Sequence, residues 1–114
     1  MPADPDEARV LHEIDLAERY RREGNEGRAR VCARRAAGWA IRPTFRRETG
    51  QTPPGDVVVI LRWYRDSTDA PVGLRRAAGR LAVSVTPEHS LPHAEDPLED
   101  ARAIVRSLVQ RPSS

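Results

Sequence analysis

Two histidines in the last third of the chain have neighbours whose side-chain types could bind a divalent metal. His89 and His93 lie in an acidic segment that also contains Glu88, Glu95 and Asp96. The histidines are four residues apart, but they stand on either side of Pro92 in a predicted loop and not on a helix, so the sequence presets no ligand geometry. His89 and His93 are therefore weak metal candidates, and we expect no bound metal and no cofactor.

The chain has one cysteine, Cys32, and a third histidine, His12. Cys32 cannot form an intramolecular disulfide, which suits a reducing cytoplasm. It lies on a face of small residues with no histidine near it in the sequence, and burial raises the pKa of a thiol. We expect Cys32 to be buried and inert and His12 to be exposed, so the sequence predicts no catalytic residue.

The stretch RARVCARRAAGWAIRPTFRR, residues 28–47, holds seven of the 19 basic residues, all of which are arginine. At about 100° per residue, four of these arginines fall on one stripe of a helix, with Trp39 among them. We call Arg28, Arg35, Arg42 and Arg46 the arginine stripe. Guanidinium groups suit phosphates and an indole can stack on a base. The candidate residues for binding nucleic acid or phosphate are thus Arg35, Trp39, Arg42 and Arg46.

A structural interpretation of the same residues is that Trp39 sits at the core boundary under arginine stems whose charged heads are in water. Trp63, close to Arg62 and Arg65, could extend the binding surface, or could pack in the core or in a dimer interface. The sequence leaves both alternatives open.

Charge is unevenly distributed although the net charge is only +2. Residues 19–80 hold fifteen arginines and six acids, and the two ends together hold four arginines and eleven acids. A basic middle could bind a polyanion. The acidic ends could equally pair with the middle, within the fold or across a dimer. A genome rich in G and C would also favour arginine codons without any function.

Helical periodicity predicts the elements that position these residues: five helices near residues 5–23, 28–47, 56–67, 71–84 and 97–110. The first and last have start signals, namely Asp4-Pro5 with Glu7, and Asp96-Pro97 with Glu99. The second has a face of small residues, Ala29, Cys32, Ala33, Ala36 and Ala40. Pro43 should kink that helix or begin a fresh turn.

The run Val57 to Leu61 is ambiguous because four β-branched residues in succession suit a strand. Val57, Ile60, Leu61 and Tyr64 nevertheless have helical spacing, and no second strand exists to satisfy the backbone of the first. We therefore predict a helix at this position.

Length and composition predict one globular domain, residues 1–114. The longest apolar run, Val57 to Leu61, is far too short to cross a membrane, so no membrane contact is expected. The N-terminal sequence is acidic and shows no secretory signal, so we expect a cytoplasmic protein. The predicted fold is an all-α, single-domain bundle of about five antiparallel helices.

Two stretches carry a resemblance to a known family. GRARVCARRAAGWAI, after a glycine turn and an amphipathic helix, resembles the second helix of HEPN-domain proteins. PEHSLPHAEDPLEDARAIVRSLV resembles their C-terminal loop and helix, and with the first helix the similarity spans nearly the whole chain. The resemblance implies an antiparallel helical bundle that is commonly a homodimer and often acts beside a nucleotidyltransferase or on RNA.

The ribonucleases of that family resemble one another in an arginine followed, after four to six residues, by a histidine. None of His12, His89 and His93 has an arginine at the required distance before it. No catalytic residue is therefore carried over, and an enzyme is not expected. The functional hypothesis is a non-catalytic binding module that recognises nucleic acid, a nucleotide or a nucleotidyltransferase. The alternatives are a structural subunit of another protein, an atypical ribonuclease or a metal-dependent hydrolase.

Overall fold

The computed structural model describes residues 5–83 and 96–109, which form five α-helices and no strand. The helices are α1 (Pro5–Arg22), α2 (Glu26–Thr49), α3 (Val57–Arg65), α4 (Val72–Ala82) and α5 (Pro97–Leu108). The predicted all-α bundle is confirmed. None of these helices is long and apolar enough to cross a membrane. Asp4 and the predicted helix ends at 84 and 110 lie outside the described residues.

The longest helix, α2, extends beyond its predicted bounds at both ends. Gly24 turns the chain with φ +79, and the Asn25 side chain accepts a hydrogen bond from the Arg28 N–H at 3.2 Å. The helix continues through Pro43 and ends only at Gly50, which has φ +70 and donates its N–H to the Arg46 carbonyl. Pro43 therefore does not end the helix, and Glu48 and Thr49, predicted as loop, are its last turn.

The ambiguous run at Val57 is helical, as its spacing predicts. The Asp56 carboxylate accepts the Val58 N–H at 2.9 Å and thus caps α3. Ile60, Leu61 and Tyr64 are buried on one side of the short helix. Helical backbone bonds satisfy the polar groups that a lone strand would leave unpaired.

The core forms around the small-residue face of α2. The predicted face residues Ala29, Cys32, Ala33, Ala36 and Ala40 are all buried. Small side chains allow helices to approach closely, and α1 is packed along α2. Larger apolar residues from the other helices complete the core, notably Ile60, Leu61, Leu98 and Ile104.

Ion pairs join the acidic C-terminal helix to the rest of the bundle. These pairs are Arg21 with Asp96, Arg80 with Asp100 and Arg102 with Glu18; Arg102 also pairs with Glu99 within α5. The first two are bidentate, with N–O distances of 2.7 to 2.9 Å. The acidic end thus pairs with the basic middle within one chain, which was one of the open alternatives.

Candidate nucleic-acid interface

The arginine stripe lies on the outer face of α2, beside the small-residue face. Arg28, Arg35 and Arg46 are exposed, whereas Arg42 and Trp39 are half-buried. Helical geometry places Arg28 and Arg46 about 27 Å apart along the axis, since they are separated by five turns at about 1.5 Å per residue. The stripe therefore runs along most of the length of α2.

The charge of α2 is not neutralised by the rest of the described chain. None of its seven arginines forms an ion pair with a carboxylate of residues 5–83 or 96–109. By contrast, three arginines of the other helices each pair with a carboxylate: Arg21 of α1, Arg80 of α4 and Arg102 of α5. Among the described residues, the outer face of α2 is consequently a surface of net positive charge, although the total charge of the protein is nearly balanced.

Trp39 is in contact with two guanidinium groups. The Arg9 Cζ lies 4.2 Å from the centre of the indole ring, and the Arg42 Cζ lies 4.5 Å from it. Both distances are those of cation–π contacts. The indole also packs against the hydrophobic core. Trp39 therefore anchors two positive charges at the surface as well as lying among the stripe residues.

Arg42 differs from the other stripe residues because the fold uses its hydrogen bonds. Its Nη1 donates to the Pro54 carbonyl at 2.9 Å, and its Nε is buried with no hydrogen-bond partner among the described atoms. The side chain thus joins α2 to the loop before α3 and covers Trp39. Of the four candidate residues, the structure brings Trp39 and Arg42 into contact, while Arg35 and Arg46 project into solvent on either side of them.

Arg34 also faces inward and lies off the stripe. Its Nε and Nη2 donate to the carbonyls of Leu81 and Val83 at 2.9 and 3.3 Å. Burial lowers the pKa of this guanidinium from its usual value. A cation at the carbonyl end of a helix interacts favourably with the helix dipole, so Arg34 stabilises the end of α4.

Two concave surfaces border the stripe. The first, which we call the Trp39 cavity, has a volume of about 180 Å³ and is lined by Glu7, Val10, Trp39, Ala40, Pro43, Leu108 and Val109. The second has a volume of about 260 Å³ and is lined by Tyr20, Arg28, Val31, Cys32 and Arg35. Arg28 also lies over the Tyr20 ring, with its Cζ 5.6 Å from the ring centre.

Among the described residues, the side chains that could do covalent or metal chemistry are not assembled for it. Cys32 is only 4% exposed, and burial together with the neighbouring Glu13 raises the pKa of its thiol. His12 is exposed, as expected. Within the described residues no three His, Cys, Asp or Glu side chains are grouped as metal ligands. His89 and His93 lie outside the described residues.

Trp63 packs against the core, which is one of the alternatives that the sequence left open. Its ring meets the Phe45 ring edge-on, with centroids 5.0 Å apart and planes inclined at 67°. It packs against the core from α3.

Two residues of the interface, Arg9 and Glu7, come from α1 and were not identified in the sequence. Both occur in an ordinary charged stretch of the first helix. Only the packing of α1 against α2 shows that Arg9 reaches Trp39 and that Glu7 lines the cavity beside it. No local signal in the sequence could have indicated this.

The chain matches no protein-family model, no curated protein sequence and no solved structure. The geometry and charge of the α2 face are therefore the basis for assigning a function to this protein.

Proposed function

We propose that this protein is a non-catalytic, HEPN-like binding module whose α2 face binds the phosphates of nucleic acid. The observation that supports the proposal most directly is the set of unpaired arginines on one side of a helix. Arg28, Arg35 and Arg46 are exposed and have no carboxylate partner among the described residues. Nucleic-acid backbones are the polyanions that bind such a stripe through counterion release.

The spacing of these arginines suits an extended ligand. The roughly 27 Å between Arg28 and Arg46 corresponds to about eight nucleotides at 3.4 Å per step. A free nucleotide could contact only one of the three arginines. The proposal therefore favours a strand of RNA or DNA over a small phosphate ligand.

Each candidate residue has its own role in this proposal. Arg35 and Arg46 contact phosphates, and Arg28 continues the same line. Trp39 offers apolar surface to a base, and Arg42 holds the indole in place while its Nη1 is bonded to Pro54. The resemblance adds two further parts to the proposal, a homodimer and a nucleotidyltransferase partner.

The test is a titration of short single-stranded RNA at several salt concentrations. We expect the wild type to bind at low salt and its affinity to fall steeply as salt rises. Each of Arg35→Ala and Arg46→Ala should reduce the slope of log affinity against log salt by about one unit or less. Arg62→Ala and Arg76→Ala are matched controls, because these arginines are exposed on α3 and α4.

Two results of the titration would contradict the proposal. Equal losses in the stripe variants and the controls would show that binding follows net charge and not the α2 face. Failure of the wild type to bind any strand at low salt would end the nucleic-acid proposal. Helix α2 would then be a packing element with a solvated, arginine-rich outer face.

A further inference from the structure

We propose that the Trp39 cavity receives a single unpaired base from the strand whose phosphates lie on the arginine stripe. This inference rests on the proposed function and deepens it, because it assigns the part of the ligand that is recognised. The cavity lies between α1, α2 and the end of α5, next to the stripe. Its size, lining and surroundings each restrict what can enter.

Its size fits one ring. A cavity of about 150 Å³ holds a benzene-sized molecule, whereas pockets for whole drug-sized ligands begin at about 300 Å³. The Trp39 cavity, at about 180 Å³, lies near the lower of these values. It therefore has room for a six-membered base but not for a complete nucleotide.

Its lining favours the ring over the phosphate. The walls are the apolar side chains of Val10, Ala40, Pro43, Leu108 and Val109 together with the Trp39 indole. Among the described residues that line the cavity, the charged one is Glu7, whose carboxylate repels a phosphate and accepts hydrogen bonds from N–H groups. Carboxylates in protein–DNA interfaces accept in this way from the amino group of cytosine.

The surrounding charge selects an anionic ligand. Arg9 and Arg42 both lie against the Trp39 ring, and Arg46 follows Pro43 by about one helical turn. A phosphate on Arg46 would thus place its own base beside the cavity. An apolar side chain from a protein partner would fill the same space but would offer the Glu7 carboxylate no hydrogen-bond donor. Covering a carboxylate without a donor costs free energy, because the carboxylate loses its contact with water.

The guanidinium contacts on Trp39 explain why the cavity is the better place for a base than the exposed ring. Stacking on the indole would require the displacement of Arg9 or Arg42 from distances of 4.2 and 4.5 Å. Entry into the cavity requires no such displacement, and both cations stay in place to attract the strand.

The experiment compares three labelled 12-mers by fluorescence anisotropy: oligo-C RNA, oligo-U RNA and an abasic strand with the same number of phosphates. We expect the wild type to bind oligo-C about 5- to 150-fold more tightly than the abasic strand, the range expected for one base packed against an aromatic side chain. Oligo-C should exceed oligo-U by about fivefold, because uracil has a carbonyl where cytosine has its amino group. Glu7→Gln should reduce that ratio towards one.

Val109→Phe tests the location, because the larger side chain projects from a residue that lines the cavity. It should bind oligo-C no better than the abasic strand and keep the wild-type salt dependence. Val59→Phe is the matched control, since Val59 is 46% exposed on α3 and does not line the cavity. Circular dichroism and thermal melting of both variants establish that each is folded.

Equal binding of oligo-C and the abasic strand by the wild type would overturn the inference and leave phosphate binding by the stripe intact. Retention of the full base preference by folded Val109→Phe would also overturn it, and would leave the cavity to a side chain of a protein partner. If the wild type binds none of the three strands at low salt, the proposed function itself is wrong, which is a different result from the loss of base preference alone.

Discussion

Two groups of arginine side chains in this protein differ in what their guanidinium groups contact. Arg21, Arg80 and Arg102 face carboxylates and stabilise contacts between helices. The exposed arginines of α2 have no carboxylate partner among the described residues. Because all of them are arginine, residue type cannot separate the two groups; only the position of the acids in the fold does.

The Arg21–Asp96 ion pair makes part of the stability of the fold depend on pH. The bidentate Arg21 guanidinium holds the pKa of Asp96 below its usual range. A carboxyl group whose pKa falls on folding stabilises the fold above its unfolded pKa of about 3.9, and this contribution is lost as the pH falls through the folded pKa. Asp96→Asn removes the charge but keeps a residue that can cap α5, since Asn and Asp are equally good at this position.

We expect Asp96→Asn to lower the free energy of unfolding by about 0.5–1 kcal/mol at pH 7, a small value because the Asp96 side chain is 37% exposed. The difference from wild type should shrink towards zero as the pH falls below the unfolded pKa of about 3.9 and through the lower folded pKa. Urea denaturation at a series of pH values measures both effects. Asp15→Asn, which removes an exposed carboxylate with no ion pair among the described residues, is the control for net charge.

At the scale of the elements, the crossing of α2 and α3 depends on a glycine. A Cβ atom built on Gly38 would lie 2.5 Å from the Val57 Cβ and 3.4 Å from the Val57 Cα. The first residue of α3 therefore packs directly on the α2 backbone. Neither helix can keep its position if a side chain is added there.

We expect Gly38→Ala to destabilise the protein by about 1–3 kcal/mol through overpacking, despite the better helix propensity of alanine. Gly73→Ala is the opposite case, because nothing lies within 4 Å of its added Cβ in α4. It should raise stability by up to about 0.5–1 kcal/mol. Thermal or urea unfolding of the two variants measures the difference, and a stabilising Gly38→Ala would contradict the close approach.

The helices could be predicted from the sequence where they depend on local signals. Periodicity and capping residues predicted five helices, and the lack of a partner strand correctly made Val57 to Leu61 helical. The small-residue face of α2 and its arginine stripe also follow from spacing alone. The extension of α2 to Thr49 was missed, because the end of the helix depends on Gly50 and not on the nearby prolines.

The candidate site was less predictable because its parts come together through tertiary contacts. Spacing placed Trp39 near Arg42, but it could not show that Arg42 is bonded to Pro54, twelve residues further on. Nor could it show that Arg9 crosses from α1 to the same ring. The cavity beside Trp39 depends on three helices at once and has no signature in any one of them.

In the molecule as a whole, positive and negative charges are unevenly distributed over the surface, although the total charge is nearly balanced. The acids of α5 lie against arginines of α1 and α4, and the outer face of α2 keeps its positive charge. A net charge of +2 therefore understates the attraction that this face exerts on a polyanion. Approach of a strand should be directed to α2 and should weaken with ionic strength.

The homodimer that the resemblance implies needs a self-complementary surface, and features that could supply one are used inside the chain. The alanine face of α2 is buried, Trp63 packs on Phe45, and the acidic end pairs with Arg21 and Arg80. The large hydrophobic side chains exposed on the described surface are four valines, Val31, Val59, Val72 and Val83. A stable dimer buries about 800 Å² on each partner with an apolar centre, which so few exposed apolar residues do not provide.

We therefore expect the homodimer implied by the resemblance to be weak. Its mass by sedimentation equilibrium should rise from 12.7 kDa towards twice that value across the micromolar range. High salt separates two kinds of contact, because an interface built on charge weakens with added salt while an apolar one does not. A mass that stays at 12.7 kDa at every concentration would remove the homodimer. The α2 face would then have to hold its ligand as a single copy, with an affinity set by the arginines of one chain alone.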